Sequence, residues 1–255
     1  MKIATWNVNS LRVRLPHILN WLDVVKPGIL ALQETKVVDE EFPVETFKRH
    51  GYQAVFSGQK TYNGVAILSR DNARNVNTTF PAFPDPQRRI LLAKVNTLSV
   101  LNLYVPNGSE VGSEKYAYKL EWLSHLLSYI DEQLEQNENL VVLGDFNIAP
   151  ADADVHDPEA WRGKVLVSGA EREAFFQLTG KGLMDCYRLF EHEEQGFSWW
   201  DYRAGSFRRN RGLRIDHILA STALARLCMS CRIDKAPRRL QRPSDHAPVV
   251  AEFNI

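Results

Sequence analysis

Acidic and amide side chains stand where apolar runs stop. The run in "LVVLGDFN" ends at Gly144, and Asp145 and Asn147 follow. "KIATWN" reaches Asn7, "GILALQE" reaches Glu34, "GLRIDHIL" carries Asp216, and "RPSDHAPVV" sets Asp245 and His246 before another apolar run. Taken singly, each has an ordinary structural explanation, because Asp and Asn favour turns and a Glu can cap the next segment. Together they form a set of hard oxygen ligands with one His. Asp145 and Asn147 are two apart, so in extended chain they face the same way. Oxygen ligands of this kind select Mg²⁺, with Mn²⁺ as a substitute. A cation so held suits phosphodiester hydrolysis, which needs phosphoryl charge neutralised, a water deprotonated and a leaving oxygen stabilised. A general base supplies about 10²–10⁴-fold and one oxyanion donor about 10²–10³-fold, against enzymatic enhancements of roughly 10⁶–10¹⁷. That chemistry therefore requires an assembly drawn from many strand ends.

The elements that would position it are short. "KIATWNV", "GILALQE", "GVAILSR", "RILLAKV", "LSVLNLYV", "LVVLGDFN", "FSWWDYR", "RIDHILAS" and "VVAEFNI" each fit a strand of about five to seven residues. From Leu11, a helical stripe of Leu15, Ile18, Leu19, Leu22 and Val25 ends at "KPG". A second helix is predicted from about Ser113 to Glu138, with Tyr116, Leu120, Leu123, Leu127, Ile130 and Leu134 facing inward. A third runs from Glu171 to about Lys181 and stops at the glycines of "GKG". Ile148 to about Ser168 reads as a long loop, and loops of that length in compact domains are usually functional. No linker divides the chain, so residues 1–255 read as one domain. Many strands with few helices predict an α/β (α+β) fold, two packed sheets with helices outside.

Formal net charge is zero, with 31 basic and 31 acidic residues, which opposes a uniformly basic nucleic-acid coat. Local basic patches remain in "PQRRI", "SFRRNRGLR" and "APRRLQRPSD". No apolar stretch approaches the roughly 20 residues that span a bilayer, and the N-terminal residues enter a strand pattern directly. Three cysteines make no disulfide framework. A cytoplasmic location and no membrane partner are the expectations. Cys228 and Cys231 form a C-x-x-C, but zinc would need two further ligands and only Cys186 remains. The pair is set aside as structural. His217 follows Asp216 in the alternation and points to the opposite face, toward the interior.

The landmarks "ATWNVNSLR", "LQETK", "NGVAILS", "RRI", "NLYVPNG", "GDFNIAP", "SWWDYR", "GLRIDHIL" and "PSDHAP" span the whole chain, and in that order. The sequence resembles the exonuclease III family of apurinic/apyrimidinic (AP) endonucleases, within the endonuclease/exonuclease/phosphatase superfamily. The resemblance implies a four-layer sandwich of two face-to-face, mainly antiparallel or mixed sheets flanked by helices, with the site at one end. It implies a Mg²⁺-dependent DNA repair hydrolase acting as a monomer on duplex DNA that is abasic, nicked or 3′-recessed. Glu34 resembles the principal metal ligand, with Asn7, Asp145, Asn147, Asp245 and His246 grouped around it. Asp145 resembles the residue that orients or deprotonates the attacking water. Asn147 and His246 resemble phosphate contacts, Asp216 the partner of His246, and Tyr104 the phosphate-side tyrosine. A buried His whose ring N–H meets a carboxylate is held in one tautomer and favoured as the cation, so an Asp216–His246 contact is predicted.

By the same resemblance Arg88 or Arg89 in "RRI" would contact DNA, and the basic cluster before "GLRID" offers Arg208, Arg209 and Arg211 for phosphate contacts, which need only local charge. Trp199 and Leu213 would line the apolar pocket for a base-free sugar flipped from the stack. If "FSWWDYR" is extended, Phe197, Trp199 and Asp201 share one face and Trp200 takes the other. One departure stands out. Typical members carry Gly or Ser shortly before the "ER" of the helix after the long loop, and Leu166 occupies that place here. A Leu there would crowd the pocket, weakening AP incision more than 3′-end processing, or would lie outside it if the loop is shifted by one or two residues, with Ser168 close by. Two other readings compete: a phosphodiesterase of the same superfamily on a non-DNA substrate, and a DNA-binding module without chemistry. The second would leave gaps in the polar set, and there are none.

Overall fold

The computed structural model describes residues 1–192 and 194–255. Eight of the nine apolar runs named above become strands. In chain order the strands are β1 (Lys2–Asn7), β2 (Ile29–Gln33), β3 (Gln53–Ser57), β4 (Val65–Ser69), β5 (Ala73–Asn77), β6 (Ile90–Val95), β7 (Leu98–Tyr104), β8 (Leu140–Asp145), β9 (Leu183–Asp185), β10 (Asp216–Ser221), β11 (Cys228–Ile233) and β12 (Val249–Phe253). One sheet has the order β11-β12-β1-β2-β4-β3 and the other β5-β6-β7-β8-β10-β9. Neighbours β1–β2 and β7–β8 run parallel and the remaining pairs antiparallel. The four strands without an apolar run in the sequence are β3, β5, β9 and β11, which are the four sheet edges. Edge strands keep one side in water and carry polar residues that blunt further pairing. Strand β5 is mostly exposed, whereas β2, β4 and β8 are buried at every position.

The sheets pack through Ile3, Ala31, Ile67, Leu91, Val100, Val141, Leu143, Ile218 and Ala251, among others. Helices α1 (Leu11–Val25) and α2 (Val44–Arg49) cover the first sheet; α3 (Glu114–Gln136) and, beyond a single short turn α4 (Pro158–Trp161), α5 (Gly169–Gly180) cover the second. This is the expected four-layer arrangement. The helical stripes lie beside the predicted ones. In α3 the buried residues are Tyr116, Lys119, Trp122, Leu123, Leu126, Tyr129, Ile130 and Gln133, while Leu120, Leu127 and Leu134 only flank the core. In α1, Trp21 is buried and Leu15 and Leu19 are peripheral. Apolarity alone places the stripe one residue off because two aromatics and a paired Lys fill the inner face. The start of α5 lies earlier than predicted, at Gly169, because Ser168 caps it with Glu171 three residues on.

"FSWWDYR" is not a strand. Trp199 makes only isolated bridges, to Leu213 and to His246. The chain bends here because the buried Ser198 hydroxyl accepts the N–H groups of Ile215 and Asp216. The alternation consequently fails: Phe197 and Trp200 pack together with Ala247, and Trp199 faces a different cluster. Close approach requires glycine at Gly144 and Gly212, among other positions. A Cβ on Gly144 would lie 2.0 Å from the Leu103 carbonyl oxygen, and one on Gly212 would strike the indole of Trp200 and the carbonyl of Trp199.

Candidate active site

Strand register performs much of the assembly. Tyr104 of β7, Asp145 of β8 and Asp216 of β10 are direct neighbours at one end of the second sheet. Asn7 pairs with Gln33 at the same end of the first, so Glu34 follows beside it. The sandwich then brings the two ends together. Asn7 Nδ2 donates to Glu34 Oε1 at 2.8 Å and to Asp145 Oδ2 at 2.8 Å, crossing between the sheets.

The opening pair, Asp145 and Asn147, meets by a route other than extended alternation. Asn147 has φ 50°, past the strand end, and its backbone N–H donates to Asp145 Oδ1 at 2.9 Å. This is turn chemistry, and it presents both side chains to one site. Asn147 Oδ1 accepts from Asn107 Nδ2 and its Nδ2 donates to Val105 O, leaving one amide hydrogen unused. Left-handed backbone recurs around the site, at Asn9, Glu34, Lys36, Asn147 and Leu166. Such conformations cost non-glycine residues about 1–3 kcal/mol each and cluster at functional sites.

His246 is buried, with Nδ1 2.9 Å from Asp216 Oδ2 and Nε2 3.8 Å from Asp145 Oδ2. The predicted Asp216–His246 contact is therefore present. Burial opposes its charge, but the carboxylates of Asp216 and Asp145 outweigh that and push the imidazole up to about 10. Burial raises Asp145 to about 7, against the pull of the imidazolium and with the push of Asp216. Burial, then the Glu34 carboxylate, raises Tyr104 well above an ordinary phenol, which keeps it neutral.

A cation has fitting donors here in Glu34 and Asp145, with the charged His246 beside them. One ligand atom each from Glu34, Asp145 and His246 lies within 4.8 Å of the others. Asp216 Oδ1 is buried with no hydrogen-bond partner, so the pocket carries carboxylate charge that protein donors leave uncompensated. Three residues of the metal set read from the sequence lie differently from the rest, Asn147 among them because Asn107 occupies its Oδ1. Asn7 turns its amide nitrogen toward the carboxylates while its Oδ1 accepts from Asn9 N. Asp245 stands outside the cluster, with Oδ1 taken by Asn9 Nδ2 and Oδ2 by Trp199 Nε1 at 3.0 Å. Lys36 and Asn9 are site neighbours the sequence reading missed: Lys36 Nζ lies 2.9 Å from Glu34 Oε2 and donates to Asn9 Oδ1. Their signal was inside the quoted motifs "LQETK" and "TWNVN".

Beside this cluster, Leu166, Leu213, Ala149, Val155, Val167 and Ile215 form a small apolar group edged by Trp199, Trp161 and Val165. Leu166 thus shares its surroundings with the two residues expected to line a sugar pocket. Of the arginines, Arg88, Arg208, Arg209 and Arg211 are exposed and make no ion pair among the described residues. Arg89 differs. It stacks 4.6 Å from the Tyr104 ring centre and donates to Tyr104 O and Gln87 Oε1, so it braces the tyrosine.

Buried carboxylates poised at strand ends, an imidazolium and neutral hydrogen-bond donors on a four-layer sandwich define a phosphoester-cleaving hydrolase. A family model described as "Endonuclease/Exonuclease/phosphatase family" matches residues 4–246. The chain is 37% identical to exodeoxyribonuclease III of Haemophilus influenzae, over 99% of this chain and all of that protein. It is 33% identical to the exodeoxyribonuclease of Bacillus subtilis over the full length of both. Among solved structures, the 3′ phosphatase NExo from Neisseria bound to product DNA hairpin superposes with TM-score 0.98 at 48% identity, and an AP endonuclease from Archaeoglobus fulgidus with 0.96 at 40%, each covering all of both chains. The protein belongs to the endonuclease/exonuclease/phosphatase family, in its exonuclease III branch of DNA repair nucleases. No helix among the described residues is long and apolar enough to cross a membrane.

Proposed function

We propose that the protein is a single-domain, monomeric, cytoplasmic Mg²⁺-dependent nuclease, with Mn²⁺ able to substitute. It would degrade duplex DNA 3′ to 5′ and clear blocked 3′ ends, with incision at abasic sites the weaker activity. The observation that carries this ranking is Leu166, grouped with Leu213 and Trp199 where a flipped base-free sugar would need space. Small-pocket selection of a flipped nucleotide depends on that space.

Glu34 and Asp145 would hold the cation, which supplies charge neutralisation at the phosphoryl oxygens when bound. Asp145, beside the same site, would orient the attacking water or take its proton. His246 keeps its proton against Asp216, and an imidazolium has no lone pair at its second nitrogen for a metal; its place is on the phosphate. Tyr104 as a neutral phenol and the free amide hydrogen of Asn147 add donors where charge develops. Arg88, Arg208, Arg209 and Arg211 suit backbone phosphates. The non-catalytic alternative is opposed by a complete polar set in which Asn7 bonds Glu34 and Asp145, and His246 bonds Asp216. The test compares cleavage of a tetrahydrofuran-containing duplex with degradation of a recessed 3′ end, each with Mg²⁺ or EDTA. Exonuclease action should dominate, and Leu166→Gly should raise incision at the abasic analogue. Robust incision by the unaltered protein would overturn the ranking, and no metal-dependent cleavage of either would overturn the nuclease reading.

A further inference from the structure

Leu166 is a bulky residue held at φ 76°, and its backbone is fixed on both sides. Its carbonyl accepts from Ala149 N at 2.7 Å and its N–H donates to Glu171 Oε1 at 3.0 Å. Glu171 is fully buried. Its Oε2 accepts the N–H of Ser168 at 3.0 Å and the Ser168 hydroxyl at 2.6 Å, and its Oε1 also accepts the ammonium of Lys119. Lys119, equally buried on the inner face of α3, donates to Asn147 O at 2.7 Å and Asn107 O at 3.2 Å. A helix cap explains the contacts between Glu171 and Ser168. It does not explain why the same carboxylate reaches Leu166 and a buried lysine that grips the backbone of Asn147.

We propose that Glu171 and Lys119 are positioning residues that set substrate discrimination, because they lock residue 166 in its left-handed conformation and tie it to Asn147. The physical case is one of conformation. A buried ion pair is often no more stabilising than apolar residues of the same volume. Here each partner also reaches backbone groups of a functional segment, Glu171 the amides of Leu166 and Ser168 and Lys119 the carbonyls of Asn107 and Asn147. Freed from Glu171, a leucine would leave the left-handed region, which L side chains disfavour, and its side chain would leave the apolar group it shares with Leu213 and Trp199. A glycine at 166 has no such preference, so the brace would matter only while a side chain is present. The inference rests on the reading of Leu166 as the residue that restricts the sugar pocket.

The test is a double-mutant cycle read as a ratio, kcat/KM on a tetrahydrofuran duplex over kcat/KM on a recessed 3′ end. Glu171→Gln leaves one oxygen for four donors and should raise that ratio about tenfold, whereas in a Leu166→Gly background it should leave the ratio unchanged. The paired change Lys119→Met with Glu171→Gln, which strands no buried charge, should behave alike and covers the case in which the single variant fails to fold. Equal losses on both substrates in both backgrounds would show a purely structural role and overturn the proposal. Amide hydrogen exchange separates the two ideas. If Leu166→Gly alone leaves the ratio unchanged, the pocket reading fails, and the brace stands only if Glu171→Gln speeds exchange of the Leu166 amide tenfold or more; unchanged exchange would sink it.

Discussion

Two buried histidines lie on opposite sides of one strand, and they carry opposite charge states. His246 meets Asp216 on one face of β10, while His217, the next residue along, faces the other way as the alternation predicted. His246 sits among carboxylates and is pushed up to about 10. His217 is pushed down to about 4, by burial first and then by the adjacent Arg214 guanidinium. Its Nδ1 accepts from Arg214 at 3.1 Å and its Nε2 donates to Ile148 O at 2.9 Å, so both nitrogens are satisfied within the fold. Around it, Asp154 and Asp185 are matched by Arg188 and Arg214. The His246 cluster is left acid-rich, with an orphan carboxylate oxygen on Asp216. A charge-balanced network holds the 148–155 loop against β10. The other is unbalanced, and under the proposed function it would take a cation and a phosphate. Burial is common to both, so the sign of the nearest fixed charge decides which histidine can serve chemistry.

The comparison can be broken from either side. Asp145→Asn should lower cleavage about 10²–10⁴-fold, as for loss of a general base, while thermal stability holds or rises because a crowded carboxylate is gone; a loss under fivefold in steady-state turnover would remove Asp145 from the chemistry. On the other side, Arg214→Met strands Asp185 and leaves Asp154 with Arg188 alone, and should cost about 3–5 kcal/mol in urea unfolding, with turnover per folded molecule much less affected than by Asp145→Asn. Smaller is the acid response of His217. Its folded pKa lies below its unfolded value of 6.5, so its contribution is complete above about pH 6.5 and lost as pH falls toward 4. About 3 kcal/mol should disappear over that window, seen as a stability difference between the protein and His217→Asn that narrows with acid; a constant difference would show that His217 is not held neutral. The smallest effect concerns the unbalanced cluster. Mg²⁺ at about 100 times its Kd should stabilise the protein by about 2.7 kcal/mol and do so much less in Glu34→Gln, as read by differential scanning fluorimetry. Equal shifts in both would place the cation elsewhere.

The central strands were legible because both of their faces are buried, which leaves uninterrupted apolar runs. Strands β3, β5, β9 and β11 were not, since an edge strand owes its pairing to a neighbour rather than to its own composition. Asn7, Glu34, Asp145, Asp216 and His246 were legible as polar residues out of place. Lys119 was not, because a lysine on a helix reads as solvated until Glu171 and the carbonyls of Asn107 and Asn147 surround it. "FSWWDYR" misled because its aromatics mimic strand alternation, and the hydroxyl of Ser198 that bends the chain is partnered from residues 17 and 18 positions away.

By itself, then, the sequence determined the branch of the family, the inner strands and the chemical types gathered at their ends. The strands and residue types follow from composition and short-range order, which each segment carries with it, and the branch from the resemblance its motifs carry. Only the tertiary structure decided the charge states of His246 and His217, the turn that joins Asn147 to Asp145, and the left-handed backbone at Leu166. Each of these depends on groups elsewhere in the chain: Asp216 stands 30 residues from His246, and Asn7 lies 138 from Asp145. Electrostatic fields and backbone strain are set by what lies within a few ångströms in space, and that proximity exists only once the two sheets have closed on each other.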